Sequence, residues 1–388
     1  MQPLDAALAW LSERGPDMEA MLKELVDISS HTHDKAGNDE VAAAYVGMMR
    51  ALGRDAVEST LHLSPGGQFG HHVTVTSRAG RHEGAVMLIG HHDTVFPKSA
   101  FAGFREDGEL LRGPGVLDMK GGLVVIAFAL GALAEADLLA RVPLRVVSVS
   151  DEEVGSPEGK HLVTEAARGA SCALVFESGR TNDLIITRRK GTGAMTVVAH
   201  GKAAHAGNLH HEGRNAIWAL ARFIDRAQQL TDYPRGLTVN VGKISGGIGK
   251  NTVPDRAEAL VDFRFIEGAH GEELAQTLAR VAAEAAVDGT SLEVSGGVAR
   301  PPLARNDASL ALFGEYGACA RAAGLGSEES PLLGGGSDAN TAAACGVPSI
   351  DGLGPRGKGF HTVDEYIERS SLIPKAAALA RFLAARAK

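Results

Sequence analysis

Only three cysteines occur in 388 residues, Cys172, Cys319 and Cys345, and no two form a CxxC pair. That excludes a disulfide framework. A basic excess is missing too: 39 Lys and Arg stand against 47 Asp and Glu, a formal net charge of −8. The balance argues for solubility and against a nucleic-acid footprint. No run approaches the ~18 uncharged apolar residues of a transmembrane helix, so none is expected. The opening MQPLDAALAWLSERGPDMEAML lacks the basic start and apolar run of a secretory signal. A reducing cytoplasm fits these absences, or a periplasm if a signal peptide has been removed.

What is present is enough for a sizeable core. The apolar fraction of 44% sits just under the ordinary globular range, and single cores stop growing near ~250–300 residues, so two domains are expected. Residues 5 to 55 read as two helices, the second being DEVAAAYVGMMRALG, ended by Gly53. From there to about residue 186, the strand-like runs HHVTVTS, AVMLIG, LRVVSVS and CALVFE alternate with helices such as KGGLVVIAFALGALAEADLLA. Short apolar strands between helices imply an α/β domain: a mostly parallel sheet with helices on both faces. Near residue 190 the texture becomes β-α-β-β-α-β, which fits a four-stranded antiparallel sheet with two helices on one face. After residue 302 the α/β texture returns. The expected organisation is a catalytic domain at 1–189 and 303–388, interrupted by an inserted α+β lid at 190–302.

The chemistry gathers at strand ends. AVMLIGHHDTV finishes in His91, His92 and Asp93. Side chains two apart in a strand share a face, so His91 and Asp93 point together and His92 points away. A metal-binding imidazole hands its other N–H to a carboxylate, and Asp93 is placed to receive it. GPGVLDMKGG carries Asp118, VVSVSDEEVGS ends in Asp151, Glu152 and Glu153, CALVFESG ends in Glu177, and GFHTVDEYI places His361 in a glycine-bounded loop. A single His or Asp at a strand end is usually an ordinary surface residue, and SDEEVGS alone reads as a solvated turn. Repetition changes the reading, because ligands of such folds bind at the carboxyl ends of strands. Acids and histidines converging there repel unless cations join them. Oxygen and imidazole donors suit zinc, cobalt or manganese.

HHDTVFP, GPGVLDMKGG, SDEEVGS, FESG, GKAAHAG, GGGSDAN and FHTVDE occur in the order seen in the co-catalytic metallopeptidases, and the chain resembles that family from about residue 25 onward. The family includes glutamate carboxypeptidase, acetylornithine deacetylase, succinyl-diaminopimelate desuccinylase, aminoacylase and peptidase T. DTVFPKSAF, GRNAI and NTVPDRAEALVDFRF look closest to its bacterial glutamate carboxypeptidase branch. The resemblance implies two Zn2+ per chain, with Co2+ or Mn2+ as alternatives. By resemblance, His91 and Glu177 hold one ion, Glu153 and His361 the other, and Asp118 bridges them. Asp93 orients His91, and Glu152 is the general base. His205 in HGKAAHAG corresponds to a histidine that reaches across a homodimer to the scissile carbonyl; on its own it reads as a structural or exposed loop residue.

Substrate contacts follow in the same way. Arg264 in VDFRF reads by itself as part of a solvated strand face; by resemblance it holds a substrate carboxylate, where a planar guanidinium makes a bidentate pair. Asn251 supplies a further polar contact. Gly334, Gly335 and Gly336 form a loop that a ligand can approach closely and that tolerates positive φ. No GK[ST] follows, so it is not a phosphate loop. His71, His72, His210 and His211 are not expected to be ligands, and the basic run Arg188–Lys190 reads as solvated. The expected activity is hydrolysis of an amide or peptide bond in an N-acyl amino acid or dipeptide-like substrate with a free carboxylate. Three alternatives stay open: an acetylornithine or succinyl-diaminopimelate deacylase, an aminopeptidase, and a non-catalytic scaffold. No nucleic-acid or membrane partner is expected.

Overall fold

The computed structural model describes every residue except 1, 82, 101, 102 and 388; Phe101, the end of DTVFPKSAF, therefore lies outside the described residues. The chain forms two compact units, one of Met1–Arg188, Arg305–Leu332 and Ser337–Lys388, the other of Arg189–Ala304 with Leu333–Gly336.

The first unit is built on a six-stranded sheet in the order Val57–His62, His72–Ser77, Leu144–Val149, Ala85–His91, Ala170–Val175, Ser349–Ile350. The last four strands pair in parallel, and the first two join antiparallel at one edge. All seven residues of Ala85–His91 are buried, as expected for a central strand covered on both faces. The helix Gly121–Glu135 packs on this strand and against the helices Pro3–Ser12, Lys35–Gly53 and Leu372–Ala384. It is apolar all round and buried along its length, which is what a helix enclosed by protein requires.

Three expectations need correction. The N-terminal region holds three helices rather than two, Pro3–Ser12, Gly15–Asp27 and Lys35–Gly53. Pro16 starts the second one, because its ring lacks the N–H that a continuous helix would need. The segment Val116–Glu135 is by length and composition apolar enough to cross a membrane, although Val116 to Ala134 are all buried inside the unit. A four-stranded sheet of two- and three-residue strands also escaped the reading: Gly357–Lys358, Tyr366–Glu368, Leu110–Arg112 and Arg105–Asp107. Strands that short carry no periodic signal.

The second unit is a four-stranded antiparallel sheet, in the order Thr238–Gly246, Arg256–Phe265, Gly191–His200, Ser291–Arg300, packed on the helices Ala216–Gln228 and Gly268–Ala285. Alternate residues of Gly191–His200 and Arg256–Phe265 are buried. Val197, Phe263 and Phe265 from the sheet meet Phe223 and Leu278 from the helices in one core.

The central helix approaches the strand end that carries Glu177 so closely that Gly122 has no room for a side chain. A Cβ there would lie 2.1 Å from the Phe176 carbonyl oxygen and 2.9 Å from Met119 Cε. Overpacking of this kind costs ~1–3 kcal/mol. Gly122→Ala is therefore expected to lower the urea or thermal unfolding midpoint, and an unchanged midpoint would mean the helix has slack at this contact.

Candidate metal centre

The acids and histidines singled out at the strand ends of the first unit come together around Asp118. His91 ends its strand inside the protein and presents Nε2 to Asp118 Oδ1 at 3.4 Å and to Glu177 Oε1 at 3.7 Å. His361 presents Nε2 to the other oxygen, Asp118 Oδ2, at 3.4 Å and to Glu153 Oε2 at 3.0 Å. The two oxygens of one carboxylate thus face two separate sets, each with an imidazole and a second carboxylate. Donor atoms of His91, Asp118 and Glu153 lie within 4.8 Å of one another, as do those of His91, Glu152 and Glu177. Glu152 therefore stands beside the donor groups.

Local structure explains the placement. Asp118 lies in a wide turn, Val116–Lys120, where its own backbone leaves the helical region at φ −119° and ψ 89°. Gly115 before it takes φ 75°, and Lys120 after it is buried with Nζ donating to the carbonyls of Leu25 and Ile28. Glu153 follows the strand Leu144–Val149, and Glu177 follows Ala170–Val175. His361 adopts φ 63°, uncommon for a residue with a Cβ and typical of positions that surrounding structure over-determines.

Asp93 turns its side chain back toward the cluster. His91 Nδ1 lies 3.1 Å from the Asp93 carbonyl and 3.2 Å from Asp93 Oδ1. The Asp93 carboxylate accepts from the Thr32 hydroxyl and from the backbone N–H groups of Glu152 and Glu153. One buried carboxylate so fixes both the His91 ring and the turn bearing the two glutamates. Thr32 was not recognised in the sequence, because its HTHD context carries no pattern that ties it to residue 93.

The electrostatics are those of a site short of positive charge. Burial, reinforced by Asp118, pushes Glu177 up to about 8, and burial pushes Glu153 up to about 7. Burial also opposes charge on Asp118, yet the adjoining His361 and His91 hold its carboxyl well below the ordinary value. The Asp118 and Glu153 carboxylates raise His361 to about 10. Burial opposes protonation of His91, but Glu177, Asp118 and Asp93 together lift it well above 6.5. Protons here balance the carboxylates, the part a divalent cation takes when it binds and displaces them. Asp118 Oδ1 is buried and finds no aligned hydrogen-bond donor among the described residues. An orphaned carboxylate oxygen between imidazole and carboxylate donors fits a hard or borderline divalent ion.

The remaining singled-out residues belong to the second unit. His205 is exposed on the short strand Ala204–His205, which pairs with Thr252–Val253, and Ala206 N–H donates to the Asn251 carbonyl. His205 Nδ1 accepts from the N–H groups of Gly207 and Asn208. Arg264 closes two of its donors onto Asp262, Nε to Oδ1 at 2.8 Å and Nη2 to Oδ2 at 2.6 Å. The Gly335 carbonyl accepts from Arg189. Gly334, Gly335 and Gly336 are absent from the positive-φ residues. Nor would a Cβ on Gly334 or Gly335 meet an atom closer than 4.0 Å. The three cysteines are free thiols.

A mostly parallel α/β sheet whose strand ends deliver two facing sets of imidazole and carboxylate donors is an arrangement suited to a metal-dependent hydrolase. Residues 187–290 match the peptidase dimerisation domain of the M20 family. Over 369 residues the chain is 29% identical to carboxypeptidase G2 of Pseudomonas sp. (strain RS-16), covering 93% of this chain and 87% of that protein. It is 32% identical over 243 residues to acetylornithine deacetylase of Myxococcus xanthus, covering 59% and 62% respectively. Among solved structures, its fold resembles an M20 family metallo-carboxypeptidase from Sulfolobus solfataricus, with TM-score 0.75, 17% identity and coverage of 95% and 98%. A Staphylococcus aureus tripeptidase is similar at TM-score 0.76 and 21% identity, covering 96% and 98%. The chain thus carries an M20 peptidase dimerisation domain, and the relatives it resembles are named as a carboxypeptidase and a deacetylase, hydrolases that act on C–N bonds.

Behind the site, His72 shows how the fold excludes other histidines from it. Its Nδ1 accepts from the Ser150 backbone N–H at 3.2 Å, and the buried ring is held neutral, with burial depressing it from 6.5 to about 4. The unfolded chain takes up this proton at higher pH than the folded one. The neutral ring's contribution is therefore fully present above about 6.5 and is lost as pH falls toward 4. Relative to His72→Gln, wild type should lose up to about 1.4 kcal/mol per pH unit in that window. Urea unfolding across pH measures this, and a pH-independent difference would refute the assignment.

Proposed function

We propose that this chain hydrolyses the amide bond of an N-acyl amino acid or dipeptide-like substrate whose free carboxylate lies beside the scissile bond, using two divalent cations per chain, zinc first and cobalt or manganese as alternatives. The observation that carries the metal assignment is the division of Asp118, with one oxygen toward His91 and Glu177 and the other toward His361 and Glu153. Those five residues would hold the ions, with Asp118 shared. When bound, the ions supply Lewis acidity that polarises the scissile carbonyl and makes a water acidic enough to attack near neutral pH.

The protein's own groups then have separable tasks. Glu152, beside the donor sets, takes a proton from the attacking water and returns it to the departing amine nitrogen as the C–N bond breaks. Asp93 receives the His91 Nδ1 proton, which aims Nε2 at the donor set. Because His205 Nδ1 accepts two backbone N–H bonds, its Nε2 carries the proton and is a fixed donor for the developing oxyanion. The dimerisation-domain match supports a homodimer in which His205 of one copy serves the site of another. Asp262 holds one edge of Arg264 and so orients the opposite edge for a substrate carboxylate. Asn251, Gly335 and Gly336 complete the substrate contacts; a glycine run with open space around it and no backbone need for glycine supports close approach of a ligand. The partial match to acetylornithine deacetylase favours N-acyl ornithine as the second substrate to test.

The experiment is metal content together with release of free amino acid from acyl-glutamate, acyl-aspartate, acyl-ornithine and dipeptides. About two ions per chain are expected, with turnover lost on chelation and restored by zinc, cobalt or manganese. Glu152→Ala should keep its metal and lose ~10²–10⁴ in kcat. Full turnover in that variant would remove Glu152 as the base, and a folded wild-type protein that binds no metal would overturn the whole reading.

A further inference from the structure

The loop that carries Asp118 has three backbone N–H groups with one common acceptor. Glu365 Oε1 accepts from Leu117 N at 2.8 Å and Asp118 N at 2.9 Å, and Glu365 Oε2 accepts from Gly115 N at 3.1 Å. The loop cannot pair these donors itself, since Asp118 leaves helical geometry and Gly115 is left-handed. Successive N–H groups turned to one side make a concavity suited to an anion. Glu365 fills it and is fully buried.

The same carboxylate sits four residues beyond His361, at the mouth of the strand Tyr366–Glu368, which pairs with Leu110–Arg112 on the near side of the Asp118 loop. Its backbone is thereby tied to the sheet while its side chain grips the loop. On the other flank, Lys120 ties the loop to the carbonyls of Leu25 and Ile28. Asp118 lies between these two anchors, and only the Glu365 anchor belongs to the segment that also delivers His361.

We propose that Glu365 is a positioning residue for the paired donor sets: it clamps the Asp118 loop to the His361 loop and so sets the direction in which Asp118 divides its two oxygens. The inference rests on the two-metal reading. Charge-assisted hydrogen bonds to backbone N–H groups are short and directional, so three of them fix the loop's orientation as well as its position. A neutral side chain of the same shape would lack this grip. Glutamine in place of Glu365 keeps one acceptor oxygen but turns an N–H2 toward a backbone N–H, so at least one of the three bonds is lost.

The test compares wild type with Glu365→Gln, and with Glu365→Asp, which keeps the charge on a shorter arm and serves if the glutamine variant does not fold. Three quantities are read: the melting temperature of the metal-free protein, cobalt affinity by calorimetry, and the visible spectrum of the cobalt-loaded protein. The expected result is a metal-free melting temperature within a few degrees of wild type, cobalt affinity weakened by roughly 10–100-fold for at least one ion, and a changed cobalt spectrum. A fall in kcat with KM little altered should accompany it. A variant that melts much lower yet binds cobalt with wild-type affinity and spectrum would overturn the proposal in favour of a purely structural role. Unchanged affinity and spectrum at unchanged stability would overturn it as well. Wild type that binds no cobalt would instead sink the two-metal reading on which the inference stands.

Discussion

Asp93, Asp118, Glu152, Glu153 and Glu177 crowd into one small region at the carboxyl ends of the central strands, with His91 and His361 among them. Carboxylates packed this closely cannot all ionise without opposing charge. Burial pushes Glu153 and Glu177 upward and the neighbouring carboxylates raise both histidines, so the cluster favours protonation over bare negative charge. Much of the surrounding structure supports this unfavourable arrangement. Asp93 is fastened by Thr32 and two backbone N–H groups, the Asp118 loop by Lys120 and Glu365, and the His361 backbone is held in a left-handed conformation.

Such crowding is tolerable because the base beneath it is rigid and apolar. The strand Ala85–His91 is buried throughout, and the helix Gly121–Glu135 is enclosed on all sides. Gly122 lets that helix settle against the carbonyl just before Glu177, so the packing of the core sets the position of a donor residue. Stability and site geometry share the same contacts here. The second unit has an independent core around Phe223, Phe263 and Phe265. It carries groups of a different kind: a histidine of defined tautomer, an arginine paired to its neighbour and an open glycine run.

Local chemistry explains why much of this was legible in the sequence. Continuous apolar runs that end in His or acid, as in AVMLIGHHD and VVSVSDEE, announce both a buried strand and the donor at its end, since strand length and burial are local properties. Alternation in AMTVVAHG and ALVDFRF announces a half-buried antiparallel sheet for the same reason. Legibility failed where the signal was short or distant. The helix break at Pro16 lies inside a continuous apolar pattern, the two- and three-residue strands show no period, and Thr32 meets Asp93 across 61 residues.

By itself, then, the sequence determined the class of fold, the kinds of donor and the strand ends on which they sit, because hydrophobic periodicity and residue chemistry act over a few residues. Only the tertiary structure decided which oxygen of Asp118 faces which histidine, which edge of Arg264 is already engaged, and that Glu365 grips a loop 247 residues away. Those relations are set by long-range packing, in which each side chain's direction depends on backbones that meet only in the folded chain.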